Sequence, residues 1–324
     1  MNVLVLTNLY PTPEKPWWGT FVAEQVHDLR ASGVDVDVLD FDGTDRRSEY
    51  VRAARRFRRT VRTTDHDLVH AHYGLTGAIA VSQRRLPVVT TFHGGDYNGI
   101  TPWHARVSRI VARHCTPIVV TDAGAQALGV PNATVIPAGI DTRLFQPADR
   151  REARRALGLE PELPYALLLG SRNDPVKRAD VFDEAVAHAR RHSPELKTLS
   201  LDRVTRQEVA LLMNAASVAV LTSDTEGLPV AVREALASMT PVVSVAVGSV
   251  PEVLAGLDGC TIAERDPVAL GDAIVCALTL DRLPAWRARA EETSGTVVAG
   301  QLAELYETVV DSWRHKRARG RRAT

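Results

Sequence analysis

Ser223-Asp224-Thr225-Glu226-Gly227-Leu228-Pro229-Val230-Ala231-Val232-Arg233-Glu234-Ala235-Leu236 is the stretch on which the reading of this chain turns. Ala215 to Thr222 lies in front of it, an apolar run whose Val218, Val220 and Leu221 suit a strand buried on both faces. Pro229 fits the first position of a helix reaching Met239, and Val232, Ala235, Leu236 and Met239 recur at helical spacing as one apolar stripe. Pro241 to Val245 reads as the next strand. Strand, tight loop, helix and strand make one step of a parallel α/β sheet, in which such a loop lies at the carboxyl end where ligands bind. No acidic residue precedes Glu234 in the helix, so its free N–H groups and dipole suit a phosphate.

Glu226 falls in the loop and Glu234 about a turn and a half into the helix, opposite the stripe and therefore on open ground. A glycosidase pair is discounted, because the backbones diverge by roughly 10 Å rather than flanking one bond. By spacing alone the two acids read as well as solvated side chains. With Gly227-Leu228-Pro229 after the first acid and Ala235-Leu236-Ala237 after the second, however, the Glu-x7-Glu pattern resembles the retaining family-4 glycosyltransferases of group 1, which have the GT-B fold. That resemblance implies an α/β protein with two Rossmann-like domains whose parallel sheets face a cleft. It also implies that Glu234 binds the ribose of a nucleotide sugar, while Glu226 and the backbone of Gly227, Leu228 and Pro229 meet the transferred sugar.

A chain of 324 residues suits two domains of about 150 residues each. We expect an N-terminal domain over 1–145, a nucleotide-sugar domain over 146–295, and a segment 296–324 whose helix crosses back to the N-domain and ends in a basic tail. The 39 basic and 39 acidic residues leave no net field for nucleic acid. Cys115, Cys260 and Cys276 have neither disulfide nor zinc spacing and suit a reducing compartment. No apolar run approaches the ~18 residues of a membrane span, and the amino terminus reads as a first strand rather than a signal peptide. The expected place is the cytoplasm, with the inner membrane face as an alternative.

In chain order, Val3 to Leu6 reads as a buried strand and Thr20 to Ala31 as a helix stopped by Gly33. Between them Trp17-Trp18-Gly19-Thr20 is either a plain turn or a loop in which Gly19 lets backbone approach the donor, and the resemblance favours the latter. Val34 to Val38 alternates with period two, which explains Asp35 and Asp37 without a metal. Arg46 to Arg62 holds eight arginines around Val51, Ala54, Phe57, Arg58 and Val61. It is either a solvated helix face or a basic amphipathic helix for anionic lipid. Strand-end packing or hydrogen bonding on the acceptor side explains His70 and His72 better than a metal pair does. Pro87 to Phe92 delivers His93-Gly94-Gly95-Asp96 to a carboxyl end, where the resemblance turns His93 toward the donor sugar and gives Asp96 a donor-side place.

In the second half, Tyr165 to Leu169 is a strand. Gly170 to Arg178 follows as a basic loop before a helix from Ala179 to Arg191. Arg and Lys in such a loop suit a diphosphate, and the resemblance assigns that task to Arg172 and Lys177. Arg172 is one residue out of the common register, and Arg178 is the alternative for the same task. Pro194 to Gln207 is shorter than in relatives, so Ser200 to Arg203 is only a guess for the base contact. Met213-Asn214-Ala215-Ala216 and Val247 to Glu252 resemble a compact subgroup that makes cell-wall or exopolysaccharide glycans. A final helix is expected over Val297 to Arg314 with Leu302, Leu305, Val309 and Trp313 inward, and a disordered tail after it.

These residues together imply transfer of a sugar from a nucleoside diphosphate sugar to a hydroxyl on a glycan, lipid-linked or small-molecule acceptor, with no metal and no cofactor. The competing readings are a nucleotide-sugar epimerase, or a non-catalytic homologue that binds a partner protein or a membrane surface. Few lysines are present for a phosphorylase with pyridoxal phosphate.

Overall fold

The computed structural model describes residues 1–43, 47–97 and 101–322. The chain divides into two compact units, one of Met1–Gly139 with Gly295–Thr324 and one of Ile140–Ser294.

The first unit is a parallel sheet of β1 (Asn2–Thr7), β2 (Asp35–Asp40), β3 (Leu68–His72), β4 (Val88–Phe92), β5 (Thr116–Val119) and β6 (Thr134–Val135) in the order β2-β1-β3-β4-β5-β6. Strand β1 is an unbroken apolar run because both its faces are covered. Val3 and Val5 pack with Val22, Val26 and Leu29 of helix α1 (Thr20–Ala31) and with Leu302 and Tyr306 of the terminal helix (Gly295–Arg322). Leu4 and Leu6 turn the other way, onto Ala53, Phe57 and Val61 of helix α2 (Arg47–Thr63).

Helix α2 settles what its apolar residues do. Phe57 and Val61 are buried in the core, Ala54 is half-buried, and only Val51 is exposed, at 52%. The stripe is an inward face, and the ~2 kcal/mol gained by burying a phenylalanine is already committed to folding. Solvent meets Arg52, Arg55, Arg56, Arg58, Arg59 and Arg62, while Arg46 lies outside the described residues.

The terminal helix departs from the sequence expectation twice. Its inward face is Val298, Ala299, Leu302, Tyr306 and Val310, with Leu305 and Val309 only half-buried, so the stripe is rotated from the expected one. The basic tail is not disordered through Arg322 but continues the helix. Runs such as His315 to Arg319 have high helix propensity, and Arg314 and Arg317 tie the helix to Asp67 and to the Arg85 carbonyl.

The second unit carries β7 (Tyr165–Leu168), β8 (Lys197–Ser200), β9 (Val218–Leu221), β10 (Val242–Val245) and β11 (Thr261–Ala263), all parallel, in the order β11-β10-β9-β7-β8. The order reverses between β7 and β9. Open α/β sheets bind ligands at such a switch point, outside the carboxyl ends of the two strands. Its helices include α3 (Ala179–Ala189), α4 (Arg206–Ala215), α5 (Val230–Ala237) and α6 (Pro267–Leu278).

Two expectations about α5 are corrected. Pro229 precedes the helix as its N-cap instead of opening it. Glu234 is not on open ground, for it is 3% exposed and its neighbour Arg233 is 9% exposed. The sequence periodicity marks one buried face, whereas α5 is covered on several sides. Met239, just beyond the helix, has φ +55° and closes it where a left-handed residue is needed. Its amide bonds to the Leu236 carbonyl and that of Thr240 to Ala235.

Candidate active site

The loops after β7 and β9 meet across the switch point of the second unit. Lys177 Nζ donates to Glu226 Oε1 at 2.6 Å, in a pair whose side chains are 24% and 14% exposed. The approach depends on Gly170, since a Cβ there would stand 2.6–2.7 Å from the Lys177 stem. Thr222 Oγ1 donates to the carbonyls of Lys177 and Arg178, and the Asp224 amide donates to the Val176 carbonyl. Two loops distant in sequence are thereby stitched into one surface. From the far side Gly248, at φ +53°, closes on the carbonyls of Glu226 and Gly227, where a Cβ would lie 2.7 Å from both. Leu228 is half-buried and Pro229 is buried at the start of α5, whose first turn carries no acidic residue and no side-chain cap.

Arg265, unmarked by any sequence pattern, braces this surface. Its guanidinium donates to the Thr222 and Ser223 carbonyls and pairs with Asp224 at 3.0 Å. Asp224 also receives Arg178 at 3.1 Å, and Arg178 holds Asp180 at 2.7 Å. These bonds to Asp180, then to Asp224, keep the Arg178 guanidinium charged. Arg172 is not brought to the Lys177–Glu226 pair. It forms an ion pair with Asp183, while its amide donates to Asp202. Ser200, part of the stretch guessed for the base, likewise donates to Asp202, which also accepts from Ser171.

Arg206 Nη2 approaches Glu234 Oε1 to 2.8 Å, and its guanidinium lies 4.7 Å from the Phe145 ring centre. The approach to Oε1 is ionic without the alignment of a hydrogen bond. That buried oxygen has no hydrogen-bond partner among the described residues. The Arg206 charge balances this buried carboxylate, and a carboxylate oxygen has lone pairs enough to accept a ligand hydroxyl as well.

In the first unit His93 follows β4 and caps a short 3-10 turn, Gly94–Asp96. Both Asp96 oxygens serve the chain itself, Oδ2 accepting the His93 amide and Oδ1 the Gly74 amide, each at 2.8 Å. Burial raises the Asp96 carboxyl to about 6 against these bonds. His93 Nε2 lies 3.2 Å from His72 Nδ1, and its ring packs against Phe21 and Tyr73. His72 stacks in turn on His70, which bonds Tyr306 Oη at 2.6 Å and Thr91 Oγ1 at 2.8 Å. Burial depresses His70 and His93 to about 3, and His72 well below its ordinary range, so all three imidazoles are neutral near pH 7. Gly19, at φ +67°, packs where a Cβ would stand 2.4 Å from the Leu9 carbonyl carbon, so the Leu9–Tyr10 turn itself demands glycine there.

Sequence reasoning missed Arg206, Arg265 and His72 as members of these clusters. Each acts through a partner on another element, and only the tertiary fold brings the pairs together.

Residues 18–144 match the family model of Glycosyltransferase Family 4, and residues 186–279 that of Glycosyl transferases group 1. The chain belongs to this glycosyltransferase family. Among curated relatives, the putative teichuronic acid biosynthesis glycosyltransferase TuaC of Bacillus subtilis is 26% identical over 347 residues, covering 85% of this chain and 88% of the relative. A D-inositol 3-phosphate glycosyltransferase of Nocardioides is 28% identical over 272 residues, covering 64% and 59%. Among solved structures, sucrose-phosphate synthase from Thermosynechococcus elongatus aligns with a TM-score of 0.75 at 18% identity, over 96% of this chain and 100% of that one. Anabaena HepE in complex with UDP gives 0.69 at 16% identity, over 95% and 100%. The two parallel sheets are those of a GT-B glycosyltransferase.

Proposed function

We propose that this glycosyltransferase takes its sugar from a nucleoside diphosphate sugar, without a metal, and retains the configuration at the anomeric carbon. The observation that carries the reading is the buried Glu234 oxygen without a hydrogen bond, a ready acceptor for a ribose hydroxyl. The UDP bound to HepE agrees with such a donor. Lys177 and the uncapped amides at the start of α5 would take the charge that grows on the departing diphosphate. Glu226, held by Lys177, would orient the sugar hydroxyls together with the Gly227 to Pro229 backbone. In the step itself the bond from the anomeric carbon to the phosphate oxygen breaks. The acceptor oxygen bonds from the same face, and its proton passes to the departing phosphate. Asp96 and Gly19 support this reading by shaping their loops rather than by touching the donor, and His93 by offering a neutral imidazole.

The acceptor is a hydroxyl on a glycan, a lipid-linked sugar or a small molecule, in keeping with the names of TuaC and the inositol phosphate enzymes. No helix among the described residues is long and apolar enough to cross a membrane. A contact with an anionic membrane surface would rest on the exposed arginines of α2 and on Arg314, Lys316, Arg317 and Arg319 of the terminal helix. The deciding experiment is a thermal-shift screen of UDP-, GDP- and dTDP-sugars, followed by NMR of the product's anomeric configuration. Stabilisation by none of them would remove the donor reading, and an inverted product would remove the retaining step.

A further inference from the structure

On the flank of the second unit, away from the loops just described, three metal-ligating side chains converge. His188 stands in the last turn of α3 and His192 in the turn that follows. Asp272 comes from the neighbouring α6. One ligand atom from each lies within 4.8 Å of the others. His188 Nε2 is 2.7 Å from Asp272 Oδ1, and the two imidazole centres are 6.3 Å apart.

The packing of the helices produces the cluster. Beyond α3 the chain keeps turning, with the His192 amide bonded to the Ala189 carbonyl, and this brings the His192 ring beside that of His188. At Gly271 a Cβ would stand 2.7 Å from His188 Cδ2 and 2.8 Å from the Ala185 carbonyl, so glycine lets α6 close on α3 where Asp272 reaches the ring. His192 and Asp272 are exposed, which leaves access for an ion and room for a water in the remaining position.

We propose that His188, His192 and Asp272 form a binding site for a divalent late transition ion of the zinc class, which clamps α3 to α6. Two imidazole nitrogens with one carboxylate oxygen suit that class, whereas magnesium and calcium take oxygen ligands. His188 and Asp272 stand closer together than two ligands of one ion, and the rest of the cluster spans up to 4.8 Å, so rotation of the exposed Asp272 and His192 side chains would part the first pair and bring His192 into reach. His188 stands ten residues along from Arg178, about 15 Å of helical rise, so the ion is structural and does not meet the donor. The site is independent of the proposed sugar transfer.

The test is a zinc chloride titration at pH 7.5 of EDTA-stripped, dialysed full-length protein, with His192→Ala and Asp272→Asn alongside and magnesium chloride as a second titrant. The expected result is one zinc per chain that both variants bind at least tenfold more weakly, with zinc raising Tm only in the wild type and magnesium doing nothing. Comparison with the variants separates this site from other histidines. Unchanged zinc stoichiometry and affinity in both variants, or no zinc bound by the wild type, would show that His188 and Asp272 do no more than hydrogen-bond each other. Turnover, where a donor is found, is expected to survive EDTA and Asp272→Asn alike, and its loss in both would overturn the structural role.

Discussion

Lys177 and Glu226 meet at 2.6 Å across the point where the strand order of the second sheet reverses, joining residues 49 positions apart. The pair couples the loop that would hold the diphosphate to the loop that would hold the sugar. A donor whose phosphate met Lys177 would therefore have its sugar hydroxyls beside Glu226.

Lys177→Ala is accordingly expected to lower turnover on the order of 100-fold, the usual effect of removing one preorganised charge from a developing anion. Steady-state kinetics beside a thermal melt would check it. A large drop in Tm with turnover per folded molecule unchanged would make the lysine a structural partner of Glu226.

Glu234→Ala is expected to weaken binding of the free nucleoside diphosphate tenfold or more, since a hydrogen bond to a carboxylate is worth roughly 1.5–3 kcal/mol. Calorimetric titration measures this directly. Equal affinity in variant and wild type would take Glu234 out of the nucleotide site and leave it as the partner of Arg206.

The first unit is expected to lose stability in acid. His70 and His93 titrate near 3 in the fold and His72 is also depressed, against about 6.5 in the unfolded chain. As pH falls below 6.5, the unfolded chain takes up protons that the fold refuses. Each histidine then removes about 1 kcal/mol per pH unit. Asp96 acts oppositely, because its folded value near 6 lies above 3.8 and stabilises the fold as pH falls from 6 toward 3.8. Three groups outweigh one, and the net loss between pH 7.5 and 5.5 is about 3 kcal/mol. Urea unfolding at both pH values tests this, and a flat profile would refute the buried neutral column.

Binding to anionic vesicles, if it occurs through α2, is expected to be weak and to fade as salt approaches 0.15 M, because screening then limits attraction to about 8 Å. Phe57 and Val61 face the core and cannot insert. Reversing Arg55, Arg58 and Arg62 to glutamate should abolish cosedimentation at low salt, and equal sedimentation with neutral vesicles would rule the surface out.

Much of the fold was legible because backbone and burial rules act locally. Val3 to Leu6 and Val218 to Leu221 read as doubly covered strands, and Thr20 to Ala31 ran between its glycines as written. What the sequence hid was set by tertiary contact. Periodicity showed the Val232, Ala235 and Leu236 face of α5, but nothing in it announced that Arg206 and Phe145 would cover Glu234. The basic tail looked like a solvated coil because its composition is polar, yet propensity and two arginine contacts extend the helix. In the candidate site Lys177 and Glu226 carried motif signals. Arg265 carried none, since its work is to hold carbonyls some forty residues earlier in the chain.

The bond between His70 and Tyr306 spans 236 positions, and the whole of Ile140–Ser294 intervenes. On the ribosome, therefore, the second unit has its complete sequence before the first does. The sheet face of Val3 and Val5, with Val26 of α1 packed on it, lacks the cover of the terminal helix until Gly295–Arg322 has been synthesised, and closing so long a loop comes late and slowly. A nascent chain stalled before Gly295–Arg322 has emerged would expose that face to aggregation.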